Sequence, residues 1–236
     1  MCTVSFVRSN AKIIITSNRD EQVLRPSAIE PKSYSINNKN VIFPKDKKAG
    51  GTWYAIDEFS NVVVLLNGAN HKHTMRTNYR KSRGIIVLDL ISSKEPVKHW
   101  NQIDLDNIEP FTIVLFENQK LYQLQWNETE KSTIELDVNQ SYIWSSATLY
   151  SEEIRNDRKQ WFYNFLETKS EVTETELFNF HRYTEQENTE NGLVINRNDF
   201  LKTLSITQTV IENNKVEIHY ADLQSEKEFS TTFITV

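Results

Sequence analysis

The sequence predicts an α+β protein made of two mostly antiparallel sheets with helices outside them. Three observations lead there. Apolar, β-branched runs joined by short polar turns recur near both ends of the chain and in its middle. Helical patterns are few and cluster near 81–101 and 151–183, so they do not alternate one for one with strands as parallel βαβ units require. The connections between strand runs have hairpin length, as at Asp57–Asn61 and Asn213-Asn214. With no internal repeat and no low-complexity linker, residues 1–236 read as one domain.

Taken in order, residues 2–8 and 11–18 form a hairpin around Ser9-Asn10. If Ser9 and Asn10 are the loop, Arg8 pairs with Ala11 and Cys2 with Ser17; a longer loop slides Cys2 opposite Asn18, Arg19 or Asp20. Side chains of the return strand alternate, with Ile14, Thr16, Asn18 and Asp20 on one face and Ile13, Ile15, Ser17 and Arg19 on the other. Residues 21–50 read as irregular, broken by Arg25-Pro26, Glu30-Pro31 and Phe43-Pro44, with one short strand at 40–43. Strands follow at about 53–57 and 61–67, the second apolar throughout and therefore central. A polar loop spans 70–80, then helices at about 81–93 and 95–101. Strands return at 111–116, 120–126, 132–136 and 141–146. Ser151 to Glu167 is a helix with an apolar face at Ile154, Trp161, Phe162 and Phe165. Thr173 and Glu176 make a capping box for a helix that ends near 183. After a polar loop at 184–200, the chain closes with strands at about 203–212, 215–221 and 227–234.

Composition narrows the function. A net charge of -5 gives no global basic field for nucleic acid or acidic membranes. One cysteine excludes an intrachain disulfide and a cysteine-cluster zinc site. No apolar run reaches the roughly 18 residues of a membrane helix, and the N-terminus lacks the pattern of a signal peptide. The expectation is a cytoplasmic protein with a small-molecule partner.

The chemistry gathers at the N-terminus. Cys2 directly follows Met1, and its small side chain permits aminopeptidase removal of the methionine. The exposed residue then carries a thiol with pKa near about 8.5 and an α-amine near about 8: a nucleophile with its own base. Elsewhere a lone cysteine is more often a buried small hydrophobe. Asp20 can hold the amine by a charge-assisted hydrogen bond or serve as a strand-end turn residue. Arg19 can stabilise the thiolate or pair with Glu21. Asn18 shares the face of Asp20. Asn67 ends the buried strand where an amide can donate to an oxyanion, although Asn-Gly is also an ordinary turn. His71 and His73 have a metal-compatible spacing but no supporting carboxylate or cysteine, so no metal is expected. Arg76, Arg80, Lys81 and Arg83 form a basic run suited to an anion or to a solvated face.

Several of these pieces together resemble the NRDE family, also called the transport and Golgi organisation protein 2 family. They are Met1-Cys2-Thr3, Ser17-Asn18-Arg19-Asp20-Glu21, Arg25-Pro26, Gly50-Gly51-Thr52-Trp53 and Ser82-Arg83-Gly84, in the family's order. Where relatives tend to carry a serine-asparagine pair, this chain has Ser145-Ser146. The resemblance implies a four-layer αββα sandwich of the N-terminal nucleophile hydrolases, similar in layout to penicillin V acylases and bile salt hydrolases. It implies catalytic roles for Cys2, Asp20 and Asn67, with either Arg19 re-aimed by a bulge or Asn18 in the arginine's place. Gly51, Thr52, Trp53, Asn70 and Ser146 are the candidate substrate contacts. The implied reaction is cleavage of an amide C–N bond or acyl transfer, without a cofactor. The alternative is a non-catalytic carrier of haem or an acyl metabolite, with Cys2, His71 and His73 as ligands.

Overall fold

The computed structural model describes residues 3–74, 76 and 78–236. In chain order the elements are β1 (Thr3–Ser9), β2 (Lys12–Gln22), β3 (Ile29–Ile36), β4 (Lys39–Lys45), β5 (Tyr54–Asp57), β6 (Val62–Asn67), α1 (Arg83–Ile91) and α2 (Pro96–Gln102). There follow β7 (Phe111–Glu117), β8 (Lys120–Trp126), β9 (Lys131–Leu136), β10 (Tyr142–Ser145), α3 (Glu152–Glu167), α4 (Glu174–Tyr183), β11 (Asn196–Arg197), β12 (Leu201–Glu212), β13 (Lys215–Asp222) and β14 (Lys227–Ile234). The fold is α+β, with two antiparallel seven-stranded sheets. The chain divides into two compact units, Met1–Arg25 with Asn139–Ile234, and Pro26–Val138 with Thr235–Val236.

The first unit holds the sheet β10-β1-β2-β12-β13-β14, with β11 paired to the start of β12. The chain's two ends therefore meet: β2 lies between the N-terminal β1 and the late strand β12. Helices α3 and α4 cover one face. Val7, Ile14, Ile143 and Val210 from the strands pack there with Phe162, Leu177, Phe180 and Leu193. Each such side chain contributes about 1.5–3 kcal/mol when fully buried. The Phe162 and Phe180 rings sit 5.6 Å apart in a tilted pair, a geometry that adds to the area term. The capping box at the start of α4 forms as expected, Glu176 N–H donating to Thr173 Oγ1 and Thr173 N–H to Glu176 Oε2.

The second unit is a meander, β3-β4-β5-β6-β7-β8-β9, in which every strand pairs with its sequence neighbour. Strand β6 is apolar because it is central, and α1 packs against it through buried Ile86, Val87, Leu90 and Ile91. A buried ammonium closes that helix. Lys39 Nζ donates to the carbonyls of Ile91 and Ser93 at 2.9 Å and pairs with Asp57 at 2.5 Å. Asp57 in turn accepts the N–H groups of Phe59 and Asn61, so the ion pair also sets the β5–β6 turn.

Several sequence expectations shift. The first hairpin turns on Asn10-Ala11, not Ser9-Asn10, because Asn10 takes the left-handed conformation (φ 54°) and Ser9 pairs with Lys12. Strand β3 runs through the stretch read as irregular. It was hidden because it is an edge strand, with little burial to impose a pattern, and because Pro31 sits in a register shift where no ladder donor is lost. The 184–200 loop contains the short strand β11, joined to β12 by a turn with Asn198 and Asp199 both at positive φ.

Two glycine motifs prove to be one contact. A Cβ on Gly51 would lie 2.4 Å from the carbonyl carbon of Gly84, and one on Gly84 would lie 2.8 Å from Thr52 O. Gly84 O also accepts Thr52 N–H at 3.1 Å. The backbone entering β5 thus touches the first turn of α1 directly. Gly51→Ala and Gly84→Ala are each expected to lower stability by about 1–3 kcal/mol or more, the cost of overpacking a backbone contact. Urea unfolding followed by tryptophan fluorescence measures it; unchanged midpoints would remove the claim.

Candidate active site

Cys2 lies outside the described residues. Its covalent neighbour Thr3 is the first described residue of β1 and pairs with Asn18. The ladder continues as Val4 with Ser17 and Ser5 with Thr16. Alternation then sorts the end of β2, with Asn18 and Asp20 on the helix-covered face and Ser17 and Arg19 on the opposite one.

Asp20 is 2% exposed and held at both oxygens. Tyr150 Oη donates to Oδ2 at 2.6 Å and Thr203 Oγ1 donates to Oδ1 at 2.5 Å. Thr203 is aimed there by a bulge: Asp20 pairs with Thr203 and Arg19 with Ser205, leaving Leu204 as the extra residue of β12. The bulge therefore lies in β12, opposite the Arg19–Asp20 step. Tyr150 is itself fixed by cations on its ring. The Arg158 guanidinium lies 3.6 Å from the ring centroid and that of Arg197 5.2 Å away. Arg158, fully buried on α3, donates to Thr3 Oγ1 at 2.6 Å and to the carbonyls of Asn191 and Gly192. One arginine thus ties α3, the 184–200 connection and the start of β1.

Asn18 is fully committed. Its Nδ2 donates to His181 O at 3.0 Å and Leu193 O at 2.7 Å, and its Oδ1 lies 2.6 Å from His181 Nδ1. Since Oδ1 carries no hydrogen, Nδ1 is the protonated nitrogen. Nε2 is then an acceptor, and Ser5 Oγ donates to it at 2.7 Å. The order hydroxyl, imidazole, amide is that of a nucleophilic relay. All three side chains are 0% exposed, so here it is a clamp holding α4 to β1 and β2. Burial and the nearby Arg158 push the imidazole pKa down from 6.5 to about 3.

The other face of the same sheet is different. Arg19 is 3% exposed and lies 3.9 Å from Glu21. Around it Ser17, Ser205, Thr207 and Thr209 are buried, and their hydroxyl oxygens have no hydrogen-bond partner. A buried hydroxyl without a partner costs about 1–3 kcal/mol. Four of them together approach the whole net stability of a domain, about 5–15 kcal/mol.

The second unit carries the remaining candidates. Asn67 ends β6 opposite Phe111. Its neighbour Gly68 (φ 81°) donates to Pro110 O, as does Arg83 Nη1, and accepts from Thr112 Oγ1. The residue that follows Asn67 is thus anchored through both its N–H and its carbonyl. Thr52 Oγ1 lies within hydrogen-bond distance of Pro44 O and Tyr54 O, and Gly51 packs on Gly84, so both have a structural duty. Trp53 is buried and Asn70 is exposed. In the first unit, Ser146 Oγ is 2.9 Å from Thr148 Oγ1. The basic run is paired: Arg76 with Glu128, Arg80 with Asp104, Lys81 with Asp89 and Arg83 with Glu109. His73 Nε2 also meets Glu109, at 3.3 Å. Among the described residues, no group of three or more His, Cys, Asp or Glu could hold a metal, and no helix is long and apolar enough to cross a membrane.

Sequence reasoning missed Tyr150, Arg158, His181 and Thr203. Two had a visible signal. Arg158 stands four residues from both Ile154 and Phe162 on the apolar stripe of α3, and His181 stands four from Leu177 on α4. A polar residue on a buried stripe implies a buried partner.

The profile of the family described as Transport and Golgi organisation 2 matches residues 1–236. No curated protein matches the sequence significantly. Among solved structures, the chain is similar to the Caenorhabditis elegans ortholog of N-acylethanolamine-hydrolyzing acid amidase. The TM-score is 0.64 at 13% identity, covering 89% of this chain and 92% of that one. It is also similar to a variant of conjugated bile acid hydrolase from Clostridium perfringens, with TM-score 0.54 at 9% identity, covering 98% and 92%. The fold is therefore that of the N-terminal nucleophile hydrolases.

His181 makes stability depend on pH. The folded imidazole stays neutral down to about 3, whereas the unfolded one takes a proton near 6.5. Its contribution is complete above about pH 6.5 and is lost as pH falls toward 3. His181→Gln is expected to lose about 1–3 kcal/mol at pH 7 and to decline less steeply, by one proton, across that window. Urea midpoints measured against pH test this, and parallel curves for the two proteins would refute it.

Proposed function

The chain belongs to the transport and Golgi organisation 2 family, and from that premise we propose that it is an N-terminal cysteine hydrolase that cleaves an amide bond of a small molecule. The observation that carries the reading is the β1–β2 register. It pairs Thr3, the residue after Cys2, with Asn18, which directly precedes Arg19 and Asp20 in β2. The fold shared with an acid amidase supports the same reaction class, although a fold alone does not fix an activity.

In this mechanism Met1 is removed and Cys2 begins the mature chain. Its thiol proton passes to its own α-amine while Sγ attacks the substrate carbonyl carbon. The carbonyl electrons move to oxygen, where amide N–H donors receive the charge, the role that the family resemblance implies for Asn67. Collapse of this intermediate breaks the C–N bond, and the α-ammonium protonates the leaving amine. Water, with the α-amine again as base, attacks the thioester, releasing a carboxylic acid and restoring the thiol. Asp20 orients the α-amino group by a charge-assisted hydrogen bond. Its own position is set by Tyr150 and Thr203. Arg19 supplies positive charge for the thiolate.

Intact-mass analysis of active protein is expected to show loss of Met1. Cys2→Ala should abolish turnover of a panel of fluorogenic N-acyl amides. Active material that retains Met1, or a turning-over Cys2→Ala protein, sinks the proposal. Asn67→Ala should lower kcat by about 10²–10³ with little change in KM, as removal of an oxyanion donor does. A change confined to KM would reassign Asn67 to binding.

A further inference from the structure

The sheet face that carries Arg19 changes character along its strands. At one end lie Ile13, Ile15, Ile211 and Val216; at the other lie Ser17, Arg19, Ser205, Thr207 and Thr209. The register makes the polar end one patch. Ser17 is directly opposite Thr207 and Arg19 directly opposite Ser205, with Thr209 on the next rung of the same face. Neighbouring side chains are then about 5 Å apart across a rung and about 7 Å apart along a strand.

Packing does not explain this patch. Valine has the shape of threonine, suits a buried strand equally well and leaves no polar atom. At 207 and 209 the chain has threonine, with hydroxyls that no protein group satisfies. A row of O–H donors beside a guanidinium is instead suited to an oxyanion, which accepts from both. Arg19 and Arg25 both lie near the carboxylate of Glu21, at 3.9 and 3.6 Å, so cationic side chains border this end of the sheet. Asp222, across from Ser205, turns its Oδ1 to the N–H groups of Gln224 and Ser225.

We propose that Ser17, Ser205, Thr207 and Thr209, together with Arg19, bind an anionic oxygen-rich group, a carboxylate or a phosphate, of the small molecule on which the protein acts. That the molecule is acted on rests on the hydrolase reading; the binding does not. The patch lies on the sheet that begins one residue after Cys2, with Val4 directly opposite Ser17. It therefore selects substrates with an anionic group close to the scissile bond.

The test is the melting temperature of the full chain in sodium phosphate and in sodium acetate, at ionic strength matched with sodium chloride. Either anion should raise it saturably, by a few degrees, in the native protein and equally in Cys2→Ala. The Thr207→Val/Thr209→Val protein should melt at or above the native temperature without anion and lose most of the anion-induced rise. Thr207→Ser, which keeps the hydroxyl, should retain the rise; Ser205→Ala, a smaller change than the double variant, should reduce it. The proposal is overturned if neither anion shifts the native protein. It is also overturned if the rise survives in both the double variant and Ser205→Ala, or if the double variant melts lower than the native chain without anion. Because melting is read and Cys2→Ala is included, an inactive native enzyme would count against the hydrolase reading and leave these outcomes as they stand.

Discussion

The register of the first hairpin is the constraint on which the candidate site depends. Side chains along a strand alternate with a period of two, so a slip of one residue moves every group to the opposite face. The turn at Asn10-Ala11 sets Thr3 against Asn18. From that pairing it follows that Asn18 and Asp20 face the helices while Ser17 and Arg19 face away. Asn10 makes the setting possible because asparagine tolerates the left-handed conformation that a tight hairpin needs. Strand β12 then locks β2 from its other side, and its bulge admits Thr203 to Asp20 without disturbing the pairing beyond.

The two faces of this sheet use polar residues in opposite ways. On the helix side the buried polar groups at the end of β2 are bonded in chains. Asn18, His181 and Ser5 form one chain, and Asp20, Tyr150 and Thr203 form another. Arg158 links the second chain to the backbone of the 184–200 connection. Such networks are directional, and in a low-dielectric interior each bond defines a geometry that apolar packing alone leaves loose. They hold the start of β1 to a helix whose own cap is well formed. On the opposite face the hydroxyls of Ser17, Ser205, Thr207 and Thr209 have no protein partner, which is unusual in a well-packed sheet.

In the second unit the equivalent economy is steric. Gly51 and Gly84 exist where two backbones touch, and the Lys39–Asp57 pair closes a helix end and a strand turn with the same two charges. Breaking a buried pair by removing one partner leaves an uncompensated charge, so the two residues act as a unit. The same anchoring logic recurs at Gly68, which bonds Pro110 O and Thr112 Oγ1 after Asn67, while Arg83 holds the same Pro110 carbonyl.

Much of this was legible in the sequence. The run Val62–Leu66 announced a central strand by being apolar throughout, and the capping box announced the start of α4. These are local signals, carried by period, turn residues and position in the chain. Alternation also separated Asn18 and Asp20 from Arg19. What the sequence could not decide was partnership. The bond between Asn18 and His181, more than 160 positions apart, has no trace in the sequence. Asp20 had no visible support until Tyr150 and Thr203 were brought to its two oxygens. Gly51 and Thr52 gave no sign in the sequence of their contact with Gly84, more than 30 positions away. Composition and period determined most of the strands and the helices, because those depend on neighbours in the chain. Only the tertiary structure decided which polar groups are mutually satisfied and which face is left with hydroxyls to offer, because hydrogen bonds between distant segments leave no periodic trace.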